Sequence, residues 1–105
     1  MIVAHVQFPV NVTDKNDFIN KMAATTAKYE GLKGLVRKYY MLNESGDRAS
    51  GLYLWESRAD AEAWYNDDWQ NYMREAWGEA AQIDYFDCLI VVDNELVKTT
   101  VTEAA

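Results

Sequence analysis

The chain has 105 residues, half of them hydrophobic and 13% aromatic, which suits one core and is too apolar for a disordered segment. Its net charge of −7, with ten scattered basic residues and no Lys/Arg stripe, argues against nucleic acid as a partner and reads as solubilising surface charge. A single cysteine, Cys88, and a single histidine, His5, provide neither an intrachain disulfide nor the ligands of a Cys/His zinc site. The longest apolar run, Cys88 to Val92, is far short of a membrane span, and no signal-peptide pattern opens the chain, so a cytoplasmic protein without a membrane partner is expected.

Ile2 to Phe8 is rich in β-branched and apolar residues and stops at the only proline, Pro9, which predicts a first strand. Alternation puts Ile2, Ala4, Val6 and Phe8 on one face and Val3, His5 and Gln7 on the other. Thr13 is expected to cap a helix whose apolar stripe is Phe18, Ile19, Met22, Ala23 and Thr26, ending near Glu30 and Gly31. Leu35 to Leu42 and Gly51 to Glu56 read as a hairpin around a polar turn, Asn43 to Ser50, with Lys38, Tyr40 and Leu42 opposed to Arg37, Tyr39 and Met41. Tyr53 and Trp55 share a face of the next strand. Ser57 and Asp60 resemble a capping box with Asp in place of Glu, opening a helix through Tyr65. After the break Asn66, Asp67, Asp68, the residues Trp69, Tyr72, Met73, Ala76, Trp77 and Ala80 recur at helical spacing. Ile83 to Val92 is apolar on both alternating faces, which predicts one strand buried on each side.

The order βαββαβ is that of an α+β, ferredoxin-like domain: a four-stranded antiparallel sheet with helices on one face, as a single domain over 1–105 with 93–105 as a C-terminal arm. Helices cover only one side of such a sheet, so the second apolar face of the last strand needs another cover. A second copy of the same sheet is the simplest, which predicts a homodimer, a dimeric α+β barrel. The tail from Asp93 is expected to be an edge strand or an arm over that partner.

His5 is the first candidate for a general base, since an imidazole titrates near neutral pH, and Gln7 on the same face would orient a ligand carbonyl. A lone histidine on a strand is as well explained by a structural or exposed role. The four tryptophans and the tyrosines, Tyr53 and Trp55 among them, could wall an aromatic-binding cavity, although helical spacing alone accounts for Trp69, Tyr72 and Trp77 as core. Arg37 and Arg74 could hold an anionic group. The five glycines never form GxGxxG, so no flavin or nicotinamide fingerprint is present.

The stretch GlyLeuTyrLeuTrpGluSerArgAlaAspAlaGluAlaTrp, Gly51 to Trp64, resembles the third strand and second helix of the antibiotic-biosynthesis-monooxygenase-like dimeric α+β barrels. Gly34 and Leu35, Lys38, Asn43 and Glu44, and TyrPheAsp at 85 to 87 are similar to its small mono-oxygenase branch. The resemblance implies dimerisation through the sheets and a pocket between sheet and helices, and it places Trp64 where haem-degrading relatives carry a pocket tryptophan. Those relatives carry an axial histidine on the following helix, where this chain has Arg74 or a neighbour, so haem degradation is disfavoured. The expected function is a cofactor-independent monooxygenase of a small electron-rich aromatic, quinol-like or anthrone-like, with molecular oxygen as co-substrate. His5 would be the base, with Gln7, Trp64, Arg37, Tyr53 and Trp55 binding the substrate. The alternative is a non-oxidative small-molecule binder or an isomerase/cyclase using the same pocket.

Overall fold

The computed structural model describes residues 1–101. Strand β1, Ile2–Pro9, is followed by helix α1, Lys15–Ala23, a short 3₁₀ turn, Thr26–Lys28, and the hairpin strands β2, Leu35–Leu42, and β3, Arg48–Trp55. Helices α2, Arg58–Trp64, and α3, Asp67–Trp77, lead into β4, Gln82–Asp87. A separate two-stranded hairpin, β5, Ile90–Asp93, and β6, Lys98–Val101, completes the described chain. The main sheet is antiparallel in the order β2-β3-β1-β4, so the α+β, ferredoxin-like arrangement stands, with β1 at the centre. None of the described helices is long and apolar enough to cross a membrane.

The caps account for where the helices start. Asp14, one residue later than the predicted Thr13, accepts from the backbone N–H groups of Asn16 and Asp17, and its charge also suits a helix N-terminus. Ser57 accepts from the Asp60 N–H at 3.1 Å, and its hydroxyl in turn donates to the Asp60 carboxylate at 2.9 Å. Asn66 caps α3 by accepting from the Trp69 N–H, so the polar break is where one helix ends and the next begins. Gly78, at φ 90°, closes α3 in the left-handed conformation that costs glycine least.

Alternation sets the two faces of the sheet. Ile2, Ala4, Val6 and Phe8 of β1 and Ala49, Tyr53 and Trp55 of β3 are buried under the helices with Ala61, Trp69, Met73 and Ala81. Val3, His5 and Gln7 share the opposite face with Ser50, Leu52 and Leu54. The α1 stripe is looser than its periodicity suggests: Phe18 packs on the core, but no α1 residue is buried and Ile19 is 53% exposed.

The predicted last strand, Ile83 to Val92, is corrected. Its pairing with β1 ends at Asp87 opposite Ile2, and the Cys88 N–H donates to the Met1 carbonyl. Beyond that point the chain leaves the sheet. Ile83 and Tyr85 pack on the core, whereas Phe86, Leu89, Ile90 and Val92 are exposed rather than buried in this chain. The expected arm pairs with Ile90–Asp93 to form the separate hairpin, and residues 102–105 of it lie outside the described residues.

Candidate functional site

A cavity lies between the sheet and the helices, floored by Val6, Phe8, Ala49, Gly51 and Tyr53 and roofed by Phe18 and Met22 of α1 and Trp69, Met73 and Trp77 of α3. Thr25, Lys28, Tyr29, Lys38, Tyr40 and Tyr72 line its remaining walls. About 50 Å³ of it is open to the centres of water molecules. Gly51 makes the floor possible: a Cβ there would stand 2.7 Å from Cε1 of Tyr53 and 3.4 Å from Cε of Lys38.

Lys38 is the unusual wall residue. Its place on the inner face of β2 follows from alternation, between Tyr40 and the bulge at Leu35 and Arg37, with Tyr53 as its partner on β3. The Nζ sits 3.6 Å from the ring centre of Tyr29, 3.7 Å from that of Tyr40 and 4.7 Å from that of Tyr53. Among the described residues the ion pairs are Arg37–Asp93 and Arg58–Glu62, so Lys38 stands among rings without a carboxylate. Burial, and after it the repulsion of Lys28, pushes its pKa down to about 7. The ring faces attract the charged form and work against that shift, but burial is the larger effect. Lys28, whose pKa burial also lowers, lies 4.4 Å from the ring centre of Tyr72 and 5.6 Å from that of Tyr29.

The hydroxyls around this lysine are held in place. Tyr40 Oη and Thr25 Oγ1 are 2.8 Å apart, and the Thr25 hydroxyl also donates to the Met22 carbonyl at 2.7 Å. Tyr53 Oη donates to Tyr29 Oη at 3.3 Å. Burial raises the pKa of Tyr40 and Tyr53, so both stay neutral donors at physiological pH. The indole Nε1 of Trp69, a roof residue, is buried without a hydrogen-bond partner among the described residues, and so is that of Trp64. An unpaired buried N–H costs about 1–3 kcal/mol, so a ligand oxygen reaching Trp69 would relieve that cost.

The residues expected from the sequence fall into three groups. Tyr53 lines the cavity. Trp55 and Trp64 belong to the packed end of the domain: Trp55 stacks on Tyr53 and donates to Tyr65 Oη at 3.2 Å, while Trp64 packs edge-on to Tyr29 at 5.3 Å. His5, Gln7 and Arg37 lie on the other face of the sheet. That corrects the expectation that His5 and Gln7 reach the pocket between sheet and helices, because the inward face of β1 belongs to Ala4, Val6 and Phe8. His5 Nδ1 and Gln7 Nε2 are 3.4 Å apart, and His5 sits between Leu52 and Asp84. Arg37 donates to Asp93 at 3.2 Å and so ties β2 to the β5 hairpin.

Lys38, Lys28 and Tyr29 were not singled out as site residues by sequence reasoning. A signal for Lys38 existed: a lysine shares the inward face of a strand with Tyr40 and Leu42, opposite an aromatic strand, and charge is rare in that position.

The fold agrees with comparison to known proteins. The structure is similar to that of a monooxygenase from the gene ActVA-Orf6 of Streptomyces coelicolor, solved with the ligand nanaomycin D. That likeness has a TM-score of 0.60 at 18% identity, over 81% of this chain and 84% of the other, and it shows the fold. No curated protein sequence gives a significant match. A family model described as "Putative mono-oxygenase ydhR" matches residues 3–91. With most of its length matched in this way, the chain belongs to the ydhR mono-oxygenase family.

Proposed function

We propose that this protein is a cofactor-independent monooxygenase acting on a small, electron-rich phenol or enol of the anthrone or quinol class in the cavity between sheet and helices. The observation that carries the reading is the cavity wall itself: aromatic rings, neutral tyrosine hydroxyls and one half-buried amine without a carboxylate. Flat rings bind flat ligands, and the hydroxyls and the Trp69 N–H are suited to hold a ligand oxygen in a set orientation. For an anthrone the reaction balances without a cofactor. The ring CH₂ becomes C=O, one oxygen atom of O₂ enters the carbonyl, the other leaves as water with the two hydrogens, and the substrate supplies all four electrons. The protein's part is to favour the substrate anion, which reduces oxygen far more readily than the neutral form, and to exclude water.

The cavity is tighter than a fused ring system requires, since a benzene-sized site is typically about 150 Å³. Entry therefore displaces wall residues. The α1 side is the economical route, because α1 buries none of its residues and an open groove lined by Phe18, Ile19, Met22 and Tyr40 runs beside it.

We also propose that two copies pair through the outer sheet face. Leu52 and Leu54 lie at its middle, Val36, Tyr39 and Phe86 are exposed around them, and the β5 hairpin carries exposed Ile90, Val92 and Val101. His5, Gln7 and Arg37 would then lie in or beside an interface.

Oxygen uptake with dithranol, an anthrone, tests the catalytic reading. Uptake above the uncatalysed rate is expected. Binding of dithranol without any enzyme-dependent uptake, for it and for quinols alike, would replace this reading with the binder or isomerase alternative.

A further inference from the structure

We infer that Lys38 is a catalytic residue: as the neutral amine it takes the acidic proton of a bound phenol or enol, and as the ammonium it then holds the resulting anion beside Lys28. The inference deepens the oxygenase reading and shares its site. In the step itself the Nζ lone pair forms an N–H bond while the substrate O–H bond breaks, and the bonding electrons stay on the substrate oxygen. No oxidant, metal or further reactant enters.

Three observations converge on this role. The Nζ lies in a wall of the cavity, 3.6 to 4.7 Å from the centres of three tyrosine rings, without a carboxylate on it. A half-buried cation in that state lacks a counter-charge, and an ionised phenol supplies one. Second, Gly51 leaves the space beside the lysine stem empty, since any side chain there would crowd both Lys38 and Tyr53. Third, a second lysine, Lys28, lines the same cavity and its charge acts on Lys38, so two positive charges share one site in a chain whose net charge is −7. A substrate that becomes an anion relieves the repulsion between them, while a neutral ligand does not.

The groups facing Lys38 are Lys28 and Tyr29 from the turn after α1, Tyr40 on its own strand, Tyr53 from β3, and Glu30 and Arg37 along the notch outside the cavity. Burial keeps Tyr40 and Tyr53 protonated, so neither competes as the base. With the amine lowered to about 7, its neutral form is accessible at neutral pH to accept a proton. A purely structural role would be different: the lysine would act only as a cation stitching Tyr29 to Tyr40, and any fixed cation would serve.

Two probes separate these roles. p-Nitrophenol is an electron-poor phenol that oxygen does not attack, and its phenolate absorbs in the visible. Dithranol reports turnover. The unaltered protein should bind p-nitrophenol with growth of the phenolate band, and its dithranol oxidation should rise with pH through about 7. Lys38→Met should lose the growth of the phenolate band on binding and at least a hundredfold of the oxidation rate near neutrality, with its remaining activity following the substrate's own ionisation. Lys38→Arg keeps a cation that does not give up its proton, so it should retain the phenolate band but lose the rise through neutrality. Full dithranol activity with an unchanged pH profile in both variants would overturn the inference while leaving the oxygenase reading in place. A phenolate band that depends on Lys38 in a protein that never consumes oxygen would uphold Lys38 as proton acceptor and overturn the oxygenase reading instead.

Discussion

The two faces of the sheet each carry a nitrogen base, His5 outside and Lys38 inside, and they differ in what surrounds it. On the outer face His5 lies beside Gln7, between Leu52 and Asp84, on a surface that none of the described helices covers. On the inner face Lys38 has lost most of its water to aromatic rings and has gained no carboxylate. A group becomes chemically useful through its surroundings more than through its identity, and the inner face combines a cavity, neutral donors and a lysine whose pKa burial lowers.

The strongest way to break this comparison is to fill the inner face. Gly51→Val places branches against Tyr53, whose ring is stacked on Trp55 and cannot move cheaply, and against the stem of Lys38. Loss of p-nitrophenol and dithranol binding by at least a hundredfold is expected, with about 1–3 kcal/mol of destabilisation from overpacking. Gly51→Ala should show the same losses in weaker form, and denaturant titration together with ligand titration checks both. Binding that survives Gly51→Val would mean that ligands do not use the cavity.

How much of this was legible in the sequence depended on the range of the interaction involved. Strand alternation separated His5 and Gln7 from Val6 and Phe8 correctly, and the caps at Ser57 and Asn66 are local chemistry. What alternation does not say is which of two faces the helices cover. On β1 the more apolar face is the covered one, and a reading that followed apolarity would have turned His5 outward. The length of the last strand was not legible either, because it depends on pairing with β1, between residues far apart in the chain. The role of Lys38 needed Tyr29, Tyr40 and Tyr53 brought together from three segments, although its inward position could be read from the pattern.

The outer face is broken next. Leu54→Glu puts a charge at the middle of the surface proposed to pair two copies, where an unpartnered buried charge is strongly disfavoured. Light scattering should show a dimer for the unaltered protein at micromolar concentration, and a monomer or a dimer weakened by at least a hundredfold for the variant. An unaltered protein that is monomeric would remove the proposed interface.

The inner lysine should also reveal itself in stability. The pKa of Lys38 is lower folded, about 7, than unfolded, near 10.5, so the unfolded chain binds more protons between these values. Stability therefore rises with pH across that window, and the full penalty of the buried charge is felt below about 7. Lys38→Met removes the penalty. At pH 6 its melting temperature should exceed that of the unaltered protein by roughly 5 °C or more, and the gap should narrow as the pH is raised toward 10. A gap of the same size at both pH values would show that packing, and not charge, is responsible. Trp69→Phe is a milder change, deleting the unpartnered indole N–H from the roof. About tenfold weaker binding of dithranol is expected if the N–H meets a ligand oxygen, whereas equal affinity would leave the group without a role.

The smallest effect belongs to His5→Ala, and its smallness is informative. If His5 were the base, its loss would cost roughly a hundredfold in rate, the usual scale for removing such a group. The inner face of β1 is occupied by Ala4, Val6 and Phe8, so the imidazole is separated from the cavity by the sheet itself. Its contacts are Gln7 on its own strand and the cross-strand positions Leu52 and Asp84, all on the outer face. Dithranol oxidation by His5→Ala should therefore stay within about twofold of the unaltered protein at saturating substrate, with the rise through neutral pH unchanged, because an exposed-face substitution away from the reacting atoms has no route to the transition state. If two copies pair through this face, the change should appear in the concentration dependence of the melting temperature instead, since only dimer strength would alter. A hundredfold loss of rate with the dimer intact would place the chemistry on the outer face and make the inner cavity a packing feature.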